Sequence, residues 1–297
     1  MQHTRRIRNY LSPLLWIIVG VVIGSAMTIT AARASRNPGG FLFGLRIALG
    51  MPSTGSYEIK WLERTYGPEK KSHGAEEWII RDFFQDKRDG VFVDVGSANY
   101  MTGSNTFFLE NQLGWSGLAV DAQESYRPGY TEHRPRTQFF AFFVSDRSDE
   151  KMQFFLNANT ELASWRGEFS ERIDSRVKGP VEITTITLND LLTAQHIDRI
   201  DFLSMDIELA EPLALAGFDI QRFRPQLVSV EAYPEVRQQI LDYFASHDYV
   251  VVSKYLRIDN LNLWFMPLGS HVDSFPEMAE NKHWLVRWWS GEESHPH

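Results

Sequence analysis

Apolar and polar positions alternate differently in two parts of the chain. From Asn9 to Ala32 no side chain is charged, and the centre of this stretch reads LLWIIVGVVIGSAMTIT. An apolar run of about 20 residues is long enough to cross a bilayer as a helix. From about Tyr57 the apolar residues come in short runs separated by turn residues and by stretches at helical spacing. EEWIIRDFF (76–84) predicts a helix, and GVFVDVG, ending at Gly96, predicts a buried parallel strand. SNTFFLENQL (104–113) predicts a helix capped by Ser104 or Asn105. WSGLAVDA and TQFFAFFVSD predict the second and third strands, and KMQFFLN and VEITTITL are β-rich. NDLLTAQHI predicts a short helix, IDFLSMDIE a fourth strand, residues 211–218 a helix, QLVSVEAY a fifth strand and residues 235–247 a helix. DYVVVSKYL and NLNLWFMPL predict a closing antiparallel pair. Strands alternating with helices predict an α/β fold with a doubly wound, mostly parallel sheet.

The amino-terminal stretch divides the chain. Residues 1–10 form a basic flank, 11–32 a transmembrane helix, 33–56 a juxtamembrane linker and 57–297 the folded domain. The alternative is a cleaved signal with Ala32-Arg33-Ala34 as its small-x-small site, but an apolar signal region is usually only about 7–15 residues. Arg5, Arg6 and Arg8 before the span nearly balance Arg33, Arg36 and Arg46 after it, so the positive-inside rule leaves orientation open. FLFGLRIALG (41–50) suits either the membrane surface or a first helix of the domain.

Composition narrows the chemistry. With 43% hydrophobic and 23% charged residues, the 297-residue chain is of ordinary globular make-up. A net charge of -8 argues against a nucleic-acid partner, which requires a basic face. The absence of cysteine excludes disulfides, thiolate nucleophiles and zinc-cysteine sites. His73, His133, His196 and His247 show no metal-ligand spacing and read as surface or packing residues. Phe139, Phe140, Phe142 and Phe143 read as two-sided core. HWLVRWW (283–289) suits either a membrane interface or packing on the domain.

Ligands of open α/β sheets sit beyond the carboxyl ends of the strands. That rule selects Asp94, Gly96 and Ser97 after strand one, Asp121 after strand two, and Ser145 and Asp146 after strand three. It also selects Asp206 and Glu208 after strand four, and Glu231 and Tyr233 after strand five. Glycine at position 96 would let backbone approach a ligand, and Asp121 could accept both hydroxyls of a ribose. The bland alternative is a tight turn with an acid capping the next helix. The loop GSANYMTG lacks the second and third glycines of a dinucleotide fingerprint, which disfavours pyrophosphate and a nicotinamide oxidoreductase. A cofactor with ribose and adenine but no pyrophosphate, such as S-adenosylmethionine, fits better. Asp206 and Glu208, two residues apart on an extended segment, point to one side. They suit a general base with its partner or oxygen ligands of a divalent cation, and Glu231 is a third candidate.

DVGSANYMTGSNTFFLE, GWSGLAVDA, TITLNDLL and DFLSMDIELAEPLAL occur here in the order of an FkbM-family methyltransferase. The chain resembles that family in its DVGA-type turn, S-N-T helix start, acid after strand two, T-L-D-x-L junction and I-D-V-E-G-x-E segment. The resemblance runs from about Gly74 to Pro267. It implies a class I, Rossmann-like methyltransferase sheet of seven strands. It also implies methyl transfer from S-adenosylmethionine, commonly to a hydroxyl oxygen of a small molecule, lipid or glycan. Because that cofactor is made in the cytosol, the resemblance favours a single-pass membrane protein with a cytoplasmic catalytic domain. In this sequence Tyr100 stands where the family has its second loop glycine, Asn99 where aspartate is frequent, and Leu209 in place of the glycine of I-D-V-E-G. These departures predict either a narrowed cofactor pocket or a non-catalytic interaction module that keeps the fold.

Overall fold

The computed structural model describes residues 56–156 and 178–276. The apolar span 11–32 and the tail 283–289 lie outside the described residues. Among the described residues no helix is long and apolar enough to cross a membrane.

Two helices, α1 (Ser56–Tyr66) and α2 (Glu76–Phe84), lead into β1 (Val91–Val95). Then follow α3 (Phe107–Leu113), β2 (Ser116–Asp121), α4 (Arg127–His133), β3 (Thr137–Ala141), β4 (Phe143–Val144), β5 (Lys151–Leu156) and β6 (Lys178–Ile186). The second half comprises α5 (Leu188–Ala194), β7 (Phe202–Met205), α6 (Glu211–Ala216), α7 (Ile220–Phe223), β8 (Leu227–Glu231), α8 (Arg237–Ser246), β9 (Tyr249–Val251) and β10 (Asn262–Pro267). The main sheet has seven strands in the order β3-β2-β1-β7-β8-β10-β9. Its first five strands run parallel, and β10 runs antiparallel to both β8 and β9. This is the predicted sheet with its closing antiparallel pair.

The strands are apolar on both faces because helices cover both. Val93, Val95, Leu118, Val120, Leu203, Met205, Val228 and Val230 pack with residues of α5, α6, α7 and α8. One step along the same strands, Phe92, Phe202 and Leu227 pack on the other face with residues of α1, α2 and α3. The order reverses between β1 and β7, so their carboxyl ends open the crevice where such sheets bind ligands.

The third strand differs from the sequence prediction. TQFFAFFVSD is not one strand: Phe142 N donates to Asp121 O as the last bond of the β2 side. The chain then leaves the sheet, and Phe143 and Val144 pair with β6 in a separate three-stranded sheet, order β4-β6-β5. The α3 helix also starts later than predicted. Thr106 is its cap residue, and Ser104 Oγ accepts from the amides of Thr106 and Phe107. At the T-L-D-x-L junction, Thr187 Oγ1 accepts from Asp190 N and caps α5, so this motif serves the fold.

Candidate active site

The cleft begins at the end of β1. Gly96 has φ +80, and a Cβ placed there would lie 1.7 Å from the carbonyl oxygen of Asp206. The glycine is therefore required by the neighbouring loop after β7, rather than by a ligand as the sequence suggested. Gly96 N and Ser97 N both donate to Val120 O, tying the turn to β2. Asp121 ends β2 and accepts from Ala98 N at 3.0 Å and Gln123 N at 2.8 Å. Two amide bonds leave further lone pairs on a carboxylate that can accept about four. Asp94 is buried and accepts from Thr106 Oγ1 at 2.8 Å. Burial first of all pushes Asp94 and Asp121 up to about 6 each.

Arg134, at the end of α4, holds the rest of this loop. It is 2% exposed, pairs with Glu110, and donates to Tyr100 O and to the carbonyl and hydroxyl oxygens of Thr106. Its guanidinium thus reaches both ends of the segment between Tyr100 and Thr106.

Two hollows meet at Gly96, Ala98, Asp206 and Glu208. The first, about 500 Å³ with its mouth, is walled by Asp121 and Gln123 on one side and by Phe142, Phe143 and Phe154 on the other. The second, about 1080 Å³ with its mouth, runs past Asp94 and Ser97 to Glu231, Tyr233, His73 and Glu76. The Ser97 hydroxyl is 94% buried by residue and has no hydrogen-bond partner, although it lines the second hollow.

Asp206, Glu208 and Glu231 converge where the hollows join, each bringing one carboxylate oxygen to within 4.8 Å of the others. Solvent reaches Asp206 from the hollow, yet protein surrounds it, and this enclosure is the main reason its pKa is raised. Glu208 is pushed up to about 8 by burial, then by the charges of Asp206 and Glu211. Glu231 is pushed up to about 11 by burial, then by Asp206 and Glu208. Glu231 is thus the member of the group that keeps its proton, and its hydrogen bond favours the carboxylate form of Asp206. Behind them Glu211 Oε1 accepts from Ile207 N at 3.0 Å, and burial pushes this carboxyl up to about 8.

Eight of the eleven sequence-selected residues therefore share one cleft: Asp94, Gly96, Ser97, Asp121, Asp206, Glu208, Glu231 and Tyr233. Three do not line it. Asn99 Oδ1 accepts from Met101 N and Thr102 N, so this side chain closes a turn. Ser145 and Asp146 follow β4, in the separate sheet, where Ser145 N bonds Ile186 O and Ser145 O lies against Gly217. The feared obstruction at Tyr100 is absent. Its ring turns away from the cleft and stacks on His133, with centroids 4.6 Å apart, beside Gly129 of α4. Tyr100 has no left-handed backbone, so glycine is not needed there. Leu209 does take the left-handed geometry that favours glycine, with φ +76, and its side chain is buried in the core. His73, Phe142 and Phe154 reach the cleft without being among the selected residues. The third strand ends at Ala141, three residues before the predicted end, which leaves Phe142 at its tip, and the other two come from segments with no motif.

The sequence model described as "Methyltransferase FkbM domain" matches residues 94–251, more than half of the chain. The chain belongs to the FkbM methyltransferase family. S-adenosylmethionine is the cofactor expected of this family, and the residues fit it on their own chemistry. Asp94 and Asp121 offer acceptor lone pairs, Ser97 a buried hydroxyl without a partner, and Phe142 and Phe143 an apolar wall. Among solved structures the chain is similar to the methyltransferase FkbM from Methylobacillus flagellatus KT, at 13% identity and a TM-score of 0.40 over 71% of this chain. It spans 58% of the length of that protein. It is also similar to a putative rRNA-methylase from Clostridium thermocellum, at 12% identity and a TM-score of 0.36, covering 68% of this chain and 99% of that one. A third is the 1,6-didemethyltoxoflavin-N1-methyltransferase from Burkholderia thailandensis, bound to 1,6-didemethyltoxoflavin and S-adenosylhomocysteine. That likeness is at 13% identity and a TM-score of 0.33, over 64% of this chain and 74% of that one. No curated protein matches the sequence.

Proposed function

We propose that this FkbM-family chain is an S-adenosylmethionine-dependent methyltransferase acting on a hydroxyl oxygen. Its acceptor is a small molecule, lipid or glycan, the span 11–32 anchors it in a membrane, and its catalytic domain faces the cytosol. The observation that carries this reading is the junction of two hollows at Gly96, Ala98, Asp206 and Glu208. One hollow has the apolar wall and carboxylate suited to an adenosine, and the other has the carboxylates suited to an acceptor.

When bound, S-adenosylmethionine supplies a sulfonium methyl, which leaves sulfur as the new O–CH3 bond forms, the S–CH3 electron pair staying on sulfur. Asp121, held by two amides, presents its remaining lone pairs to ribose hydroxyls. Phe142 and Phe143 exclude water from the adenine side. Asp206 takes the acceptor's hydroxyl proton, being the carboxylate that solvent reaches from the hollow. Glu231, hydrogen-bonded to it, holds the charge in place.

The test is transfer of labelled methyl from S-adenosylmethionine into fractionated lipids, glycans and small molecules by the full-length chain. The expected result is label in one hydroxyl-bearing fraction, with Asp206→Asn reducing it by at least about a hundredfold. If the chain binds the cofactor and labels nothing, the fold serves as a non-catalytic interaction module.

A further inference from the structure

The two ends of β7 treat a carboxylate in opposite ways. At the entry, Asp201 is fully buried and fully matched. Lys87 Nζ, Arg199 Nη2, Gln226 Nε2 and Val91 N donate to it at 2.7 to 2.9 Å. At the exit, Asp206 faces Glu208 and Glu231, with Asp94 and Glu76 lining the same hollow. No lysine or arginine lines either hollow among the described residues, and His73 is the one basic ring there. Glu231 is 93% buried by residue, lines the hollow, and has one oxygen, Oε2, without a hydrogen-bond partner. Buried carboxylates in native proteins are paired or bind metals, because an unmatched buried acceptor is costly.

The spacing suits the second solution. Oxygen ligands lie about 2.0–2.1 Å from Mg²⁺ and about 2.3–2.6 Å from Ca²⁺, so two ligands of one ion are at most about 4 Å apart on the first and about 5 Å on the second, and the smaller ion draws the carboxylates in by about half an ångström. The oxygens of Asp206, Glu208 and Glu231 lie within 4.8 Å of one another. They come from two adjacent strand ends, and the approach of the loop after β7 to Gly96 fixes their floor.

We propose that Asp206, Glu208 and Glu231 bind one divalent, oxygen-ligated cation of the Mg²⁺ or Mn²⁺ class, whose open positions hold the acceptor's hydroxyl. Three carboxylates leave part of the shell of such an ion to water or to substrate oxygens. The surrounding acids select against phosphate- or carboxylate-bearing acceptors, so the acceptor is an uncharged hydroxyl compound. This last step rests on the methyltransferase reading; the binding of the cation does not.

The full-length chain, stripped of metal with EDTA, is titrated with MnCl2 while the electron paramagnetic resonance signal of free Mn²⁺ is followed. One Mn²⁺ per chain is expected, displaced by excess Mg²⁺. Glu231→Gln and Asp206→Asn each weaken it at least tenfold, the lower end of what losing even a supporting partner of a metal site costs (about 10–100-fold). Asp146→Asn, outside the cleft, leaves it unchanged. The two cleft substitutions lie on different strands, and circular dichroism checks each fold, so failure of one to fold leaves the other to decide. No stoichiometric Mn²⁺ binding by the folded wild type, or binding that survives both substitutions, overturns the site. Calorimetric titration with S-adenosylmethionine on the same sample separates the two ideas. Cofactor binding without Mn²⁺ removes only the cation site, whereas Mn²⁺ binding without cofactor keeps the site and removes the methyltransferase reading.

Discussion

The loops after β1 and β7 each carry a large residue where the family has glycine, and they absorb it in different ways. After β1, the left-handed positions fall on Gly96, Ala98 and Gly103, with φ +80, +44 and +77. Tyr100 is left with an ordinary backbone, and its ring is free to pack against α4. After β7, Glu208 and Leu209 themselves take left-handed geometry, with φ 54 and 76. A residue with a Cβ is strained there, by roughly 1–2 kcal/mol. The first loop thus has an ordinary backbone angle at its large residue. The second takes a left-handed turn at residues with a Cβ, under strain, and the carboxylate of Glu208 lies beside those of Asp206 and Glu231. Whether a lost glycine matters thus depends on backbone angle and close approach, not on nearness to the site.

The comparison can be broken most directly where the loops touch. Gly96→Ala would drive a methyl into the carbonyl of Asp206, so thermal unfolding should show a loss of about 4 kcal/mol or more, at the severe end for single substitutions. A loss under about 1 kcal/mol would mean that the loops do not meet as described.

Next in size is the bracing of the second loop by Glu211. Its carboxyl, at about 8 in the fold, lies above its ordinary value of 4.5. A raised carboxyl contributes stability that is complete below the unfolded value and lost as pH rises through the folded one. Unfolding midpoints should therefore fall between pH 7 and 9, with Glu211 contributing on the order of 1 kcal/mol of the change. Glu211→Gln should flatten this part of the profile, and an unchanged slope would remove the assignment.

The strain at Leu209 is tested by two substitutions that remove the same core contact. Leu209→Gly should be more stable than Leu209→Ala by about 1 kcal/mol, the reverse of the usual order of these residues. Chemical denaturation measures the difference, and alanine proving the more stable would deny the strain.

The smallest effect is expected at Tyr100. Tyr100→Ala should cost about 1 kcal/mol at most through the lost ring stack, while cofactor affinity stays within about twofold. A large change in affinity would put the ring back in the cleft.

Much of this arrangement was legible in the sequence because buried parallel strands are apolar on both faces. VFVDV, GLAV, FLSM and LVSV could be read as strands from their runs alone, and their ends located the acids of the cleft. Where a strand end was unclear, the site residues were misplaced. FFAFFV carries no mark of the break at Phe142, so Ser145 and Asp146 were assigned to a tip they do not occupy. The helix α4, RPGYTEH, holds proline and glycine, weak helix formers, and could not be read from periodicity. His73 and Phe154 are brought to the cleft by packing of distant segments, which no local pattern announces. The orientation of Tyr100 was equally hidden, since it depends on the room left by Gly129 in α4.

The central claim is that the cleft holds S-adenosylmethionine between the two loops. Isothermal titration of the full-length chain with S-adenosylmethionine tests it most directly. The account predicts one site per chain, weakened at least tenfold by Asp121→Ala through the loss of a ribose-binding carboxylate (about 1.4 kcal/mol). A folded chain that gives no binding heat at any temperature tried, and no shift in its unfolding midpoint with the cofactor present, would contradict it.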